Sequence, residues 1–154
     1  MTKLPIIAAL LLAPAAAQAA IPVQHFSSSG PVPAGATAGG SGPAFSSSVM
    51  AGDTLYVSGT TDMDRSTGKP PTDPKVGAKI VLENIKRTVE GAGLSMDDLV
   101  WVQVFATDLG NYAAFNEVYR TYFKGPLPSR AFIGAGSLLG NANFEVMGIA
   151  VRSK

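Results

Sequence analysis

Between Asp73 and Gly93 the chain permits little besides one amphipathic helix, and a helix of that kind needs a second layer to cover. Asp73 stands directly before Pro74, an N-cap followed by the residue best suited to the first helical position. Ala78, Leu82, Ile85, Val89 and Ala92 then recur every three or four residues. Lys79, Glu83, Lys86 and Glu90 fall off that stripe, so one side is apolar and the other solvated. Gly91 and Gly93 end the helix.

The remaining pattern supplies the second layer in short pieces. Residues 45–49 and 54–58 flank Met50-Ala51-Gly52-Asp53 and read as a β-hairpin with a Gly-Asp turn. Residues 59–72 are polar, hold two prolines and read as a loop. Residues 99–107 (LVWVQVFAT) have the composition of a strand covered on both faces. A second helix is predicted over 111–123, with Tyr112, Phe115, Tyr119 and Tyr122 as its stripe and Gly125-Pro126 as its stop. Tyr119 and Tyr122 are read as core. Residues 130–134 and 144–151 are the last strands, joined by a Gly-rich loop. The order β-β-α-β-α-β-β defines an α+β domain, two helices against a mixed sheet.

At 154 residues there is room for one such domain. Residues 1–19 carry a single charge, Lys3, then an apolar run and a small-residue close, Ala17-Gln18-Ala19. That is the layout of a cleavable signal peptide, with cleavage near Ala19 and a periplasmic or secreted product. The apolar run is roughly half of what spans a bilayer, so no membrane association is expected after cleavage. Residues 20–42 are rich in Gly, Ser, Pro and Ala and hold no Asp, Glu, Lys or Arg; they read as a flexible leader, with the domain at 43–154. Without residues 1–19 the chain holds 11 basic and 11 acidic side chains. Zero net charge gives phosphate binding little to draw on, so nucleic acid is not expected as a partner.

Several chemistries drop out. The one histidine, His25, falls in the leader with no ordered partners expected, and there is no cysteine. That excludes the usual nucleophile-histidine machines and disfavours a transition-metal site; neither metal nor cofactor is expected. Asp62 and Asp64 lack the glycine spacing of a calcium loop and read as a turn with two solvated aspartates. Gly134, Gly136 and Gly140 do not fit a dinucleotide fingerprint.

Three stretches carry a resemblance. Ala51-Gly52-Asp53-Thr54-Leu55-Tyr56-Val57-Ser58-Gly59, followed by Asp64 and Thr67-Gly68, is similar to the AG-x-x-x-(F/Y)-VSG and D-x-x-TG segments of the RidA (YjgF, reactive intermediate deaminase) family. Residues 111–119 (NYAAFNEVY), with Tyr122-Phe123 behind them, resemble its second helix. Pro128-Ser129-Arg130, then Phe144-Glu145-Val146 and Ile149-Ala150, resemble its P-x-R strand and its closing strand. All three lie in order across residues 45–152. The resemblance implies a chorismate-mutase-like α+β fold and a homotrimer with ligand clefts at subunit interfaces. It also implies cofactor-free hydrolysis of 2-imino or 2-enamino acids to 2-oxo acids and ammonia. The family has been described as ribonucleases and translation inhibitors as well.

The residues fit that chemistry. A 2-imino acid presents a carboxylate beside an electrophilic carbon, and the planar fork of Arg130, at the start of a strand, suits a carboxylate bidentately. Glu145 is the only ionisable residue in 144–151, and alternation puts it on one face with Met147, Ile149 and Val151. The resemblance assigns Glu145 to ordering the attacking water, and adds Gly59 and Asn116 to the cleft. Phe45 and Phe132 occupy cleft positions where the family usually has a tyrosine and a small or thiol residue. Ser137 and Met147 stand in place of an arginine and a second glutamate. These four changes make the cleft less polar or reshape it, and Phe45 and Phe132 keep open a non-catalytic trimer that binds small carboxylates in the same clefts.

Overall fold

The computed structural model describes residues 20–37 and 43–152. The expected signal segment, 1–19, lies outside the described residues. A seven-stranded sheet forms the backbone of the molecule, in the order β2-β1-β3-β4-β7-β5-β6. The strands are β1 (Val23–Ser27), β2 (Gly30–Pro31), β3 (Ser48–Ala51), β4 (Thr54–Thr61), β5 (Leu99–Ala106), β6 (Ser129–Gly134) and β7 (Phe144–Val151). Among the described residues only the β5–β6 pairing is parallel, so the sheet is mixed. Two helices, α1 (Pro74–Gly91) and α2 (Tyr112–Tyr119), complete the α+β layout.

Helix α1 starts and stops where its residues dictate. The Asp73 side chain accepts a hydrogen bond from the Lys75 amide at 2.8 Å, with Pro74 at the first position. At the other end Gly93 adopts a φ of +77°. The amides of Gly93 and Leu94 donate to the carbonyls of Glu90 and Val89, which closes the helix with a Schellman motif. The buried side is Gly77, Ala78, Val81, Leu82, Ile85 and Val89. It packs with Leu55, Val57, Val102, Val104, Phe144, Val146 and Ala150 from the sheet in one core. Phe115 of α2 joins that core, 5.0 Å from the ring of Phe144.

Several expectations need correction. The leader is not structureless: β1 pairs antiparallel with β3 from Val23↔Ala51 to Phe26↔Ser48, and β2 folds back on β1. Its residues are mostly exposed, so backbone hydrogen bonds to an open sheet edge order it, where side-chain burial could not. His25 therefore sits in a strand, its Nδ1 3.0 Å from Ser46 Oγ. The strand at 45–49 starts later, at Ser48, and β4 runs on to Thr61. In β5, Leu99, Val102, Val104 and Ala106 are buried, whereas Trp101, Gln103 and Phe105 are only half-covered. The helices shield one face of this strand, and the chain itself leaves the other partly open.

Asp62 is the clearest reversal. It is fully buried, where a solvated turn was expected; Asp64 does lie in an exposed turn. Asp62 accepts hydrogen bonds from the amide of Asn143 at 2.9 Å, the Asn143 side-chain amide at 3.1 Å and the Phe144 amide at 3.3 Å. The Asn143 side chain also donates to the Pro71 carbonyl at 2.8 Å. Buried carboxylates persist where such donors replace water. The exit of β4 and the entry of β7 are thereby fixed to each other.

Candidate functional site

On α2, positions 112, 115, 116 and 119 share one side by helical periodicity. Phe115 and Tyr119 point into the core and are fully or nearly fully buried, while Tyr112 and Asn116 stand at its margin. Opposite them Arg130 leaves β6, in register with Val102. Its Nη2 donates to Asn116 Oδ1 at 2.6 Å. Its guanidinium carbon sits 4.5 Å from the ring centre of Tyr119, 5.7 Å from Tyr112 and 5.8 Å from Phe132. Aromatic faces of this kind hold a cation in place without neutralising it.

The buried Nη1 of Arg130 and the buried Tyr119 hydroxyl make no hydrogen bond among the described residues. Beside them opens a hollow of about 240 Å³, lined by Tyr112, Asn116, Tyr119, Arg120, Leu127, Pro128 and Arg130. Burial pushes the Tyr119 phenol up to about 12, against the opposing charge of Arg130. The exposed Tyr112 phenol is held below the usual tyrosine range, first by hydrogen bonding with Asn116 and then by Arg130.

A second cluster lies elsewhere on the sheet. The β4–β7 register slips between Val57 and Thr60, which marks a bulge at Ser58–Gly59. Glu145 of β7 pairs with Thr61 on one side and Phe105 on the other. Its carboxylate lies directly over Gly59, where an added Cβ would overlap Oε1 and stand 3.1 Å from Cδ. Glycine at 59 is therefore what lets the carboxylate occupy this place.

The two clusters face opposite ways. Residues paired across strands share a face. Arg130 pairs with buried Val102 on the helix-covered face, and Glu145 pairs with half-covered Phe105 on the other. Among the described residues the ion pairs are Lys75–Glu117 and Lys86–Glu90, and neither involves the two. Of the expected site residues, then, Arg130, Asn116 and Phe132 come together, and Gly59 and Glu145 come together. Phe132 packs edge-on against Tyr112 at 5.0 Å and Phe115 at 5.5 Å. Phe45 stands apart, 63% exposed before β3. Tyr112 and Tyr119 were missed as site residues; the 112/116/119 spacing was the available signal, because it puts both tyrosines on the side of Asn116.

An α+β fold with a hollow at the sheet margin lined by two arginines is thus defined. Sequence comparison places it more narrowly. Residues 37–152 match the family described as Endoribonuclease L-PSP, and the chain belongs to that family, the RidA/YjgF proteins. It is 36% identical over 105 residues to TdcF of Escherichia coli (strain K12), which bears the name of a reactive intermediate deaminase; the match covers 66% of this chain and 81% of that one. It is 34% identical over 108 residues to the 2-iminobutanoate/2-iminopropanoate deaminase of Dermatophagoides farinae, covering 70% of this chain and 84% of the relative. The crystal structure of E. coli TdcF with bound serine superimposes with a TM-score of 0.68 at 36% identity, covering 75% of this chain and 92% of that one. RidA from the Antarctic bacterium Psychrobacter sp. PAMC 21119 gives 0.67 at 33%, covering 74% and 92%.

Proposed function

We propose that this protein hydrolyses 2-imino and 2-enamino acids to 2-oxo acids and ammonia, without a cofactor, in clefts between the subunits of a homotrimer. The observation that carries this reading is Arg130. One arm of its guanidinium is tied to Asn116, and among the described residues the other makes no hydrogen bond and the hollow beside it is lined by no acid. An α-carboxylate supplies the missing acceptor and leaves the adjacent imine carbon at a fixed distance from the protein. Membership of a family with named imine deaminases agrees with it, as does TdcF crystallised with serine, an α-amino carboxylate.

The substrate is electrophilic already, so the protein has little to add besides position and proton transfer. In this reading Glu145 orders the water whose oxygen attacks the imine carbon, accepts its proton and passes that proton to the nitrogen. The C–N bond then breaks, nitrogen leaves as ammonia, and the water oxygen becomes the new carbonyl oxygen. Acid–base help of this sort contributes roughly 10²- to 10⁴-fold. Because Arg130 and Glu145 lie on opposite faces of one sheet, their cooperation on one substrate requires a neighbouring copy. The half-covered face of β5, with Trp101 and Phe105, offers apolar surface for that association.

The decisive assay is release of ammonia or 2-oxo acid from freshly generated 2-iminopropanoate, with Arg130→Ala alongside. Acceleration over buffer that vanishes in a folded Arg130→Ala protein is expected. An unimpaired variant refutes the assignment. The aromatic Phe132, packed edge-on against Tyr112, favours one other reading, a module that binds small carboxylates without turnover. Saturable binding of 2-oxo acids with no imine hydrolysis identifies it. Residues 1–19 support export, and a product beginning at Ala20 in the periplasm or medium is the result that tests it.

A further inference from the structure

Two guanidiniums line the hollow beside α2, more positive charge than one α-carboxylate needs. Arg130 approaches from β6; Arg120 comes from the helical turn Arg120–Tyr122 that ends α2. The other lining residues, Tyr112, Asn116, Tyr119, Leu127 and Pro128, are uncharged. The nearest acid along α2, Glu117, is committed to Lys75 at 2.7 Å. Neither arginine has an acidic partner among the described residues. The hollow thus concentrates two positive charges in a small concave space, and both favour the ionised form of the Tyr112 phenol at its rim. Clefts lined by charge of one sign raise the local concentration of oppositely charged ligands.

We propose that this site is built for 2-imino acids bearing a second carboxylate in the side chain, the class of 2-iminobutanedioate and 2-iminopentanedioate. The α-carboxylate takes the free arm of Arg130, as in the deaminase reading on which this proposal rests, and the distal carboxylate takes Arg120. At about 240 Å³ the hollow is smaller than the ~300–1,000 Å³ of pockets for drug-sized ligands, which suits a short acid. The reaction is unchanged in kind. One water is consumed, its oxygen becomes the 2-oxo group, the C–N bonding pair leaves with nitrogen as ammonium, and the distal carboxylate takes no part in bond making. Arg120 is a specificity residue here, acting on charge at the far end of the substrate.

The test measures kcat/KM for 2-iminobutanedioate and for 2-iminopropanoate in the purified exported protein, in Arg120→Gln, and in Lys124→Gln. Lys124 lies outside the hollow, so its variant matches the charge change without touching the site. The wild-type protein is expected to favour the dicarboxylate. Arg120→Gln is expected to lower that preference by roughly 10- to 100-fold, the range of one charge-assisted hydrogen bond. Lys124→Gln should leave the preference where it was. An unchanged preference in Arg120→Gln, or an equal fall in both variants, overturns the proposal while monocarboxylate turnover keeps the deaminase reading. If neither imine is hydrolysed, the deaminase reading fails, and calorimetric titration with 2-oxopentanedioate and 2-oxobutanoate decides the dianion site. Tighter binding of the dicarboxylate that is lost in Arg120→Gln upholds it, and equal binding overturns it.

Discussion

Gly59→Ala puts the smallest possible probe against the candidate water-ordering carboxylate. The added methyl would overlap Oε1 of Glu145 and press on Cδ at 3.1 Å and Cγ at 3.4 Å. Oε1, Cδ and Cγ are all involved, so the carboxylate has to leave its position by on the order of 1 Å, and displacement of that size costs about 10²-fold in rate. Stability should change little. The φ of Gly59 lies outside the left-handed region, so alanine meets no backbone penalty. An alanine at a compatible position gains about 0.4–1 kcal/mol through the unfolded chain, and an off-rotamer Glu145 loses about 0.5–1.5 kcal/mol. A melting temperature within a few degrees of wild type, with kcat/KM on 2-iminopropanoate reduced about 100-fold, is the expected result. Full activity in a folded Gly59→Ala protein would refute the role given to Glu145. Loss of folding would refute the claim that Gly59 serves the site.

Arg130→Lys keeps the charge but loses the planar fork, so it should lower kcat/KM by roughly 10- to 100-fold with the far-ultraviolet circular dichroism unchanged. Ile85→Ala, at a position 1% exposed in the main core, should destabilise the fold by about 2–5 kcal/mol in urea titrations, with activity per folded molecule retained. Tyr119 gives a pH signature. Its folded phenol ionises at about 12 and the unfolded one near 10, so its contribution is full below pH 10 and disappears as pH rises through 12. Melting temperatures between pH 10 and 12 should fall more steeply in wild type than in Tyr119→Phe.

Periodicity carried the helices and the core strands because their signals are local. The stripe from Ala78 to Val89 and the Asp73-Pro74 start appear in the structure as read. What escaped was set by partners far along the chain. Asp62 looks like half of a solvated turn until Asn143, 81 residues on, supplies its donors. β1 is ordered by the open edge of β3, and its own composition, Val23 to Ser27, gives no sign of that. Arg130, Glu145, Asn116 and Gly59 came from the family resemblance. Their division into two clusters on opposite faces follows from strand register, which a list of motifs does not contain. Tyr119 was assigned to the core and is there, at 2% exposure, yet the same ring also faces Arg130. A single side chain can serve both purposes when the pocket borders the core.

The hairpin of β1 and β2 buries little and touches none of the proposed chemistry, yet it occupies the flank of β3. Beyond it the sheet offers only two residues, Gly30–Pro31, with Pro33 close behind, and a proline-bearing stub is a poor template for a foreign strand. Without it, the unpaired amides and carbonyls of β3 would be available to any extended chain. The hairpin therefore caps this edge of the sheet against strand addition, with β6 as the opposite edge. Shortening the N-terminus should cost the protein its shelf life in concentrated solution long before it costs much in melting temperature.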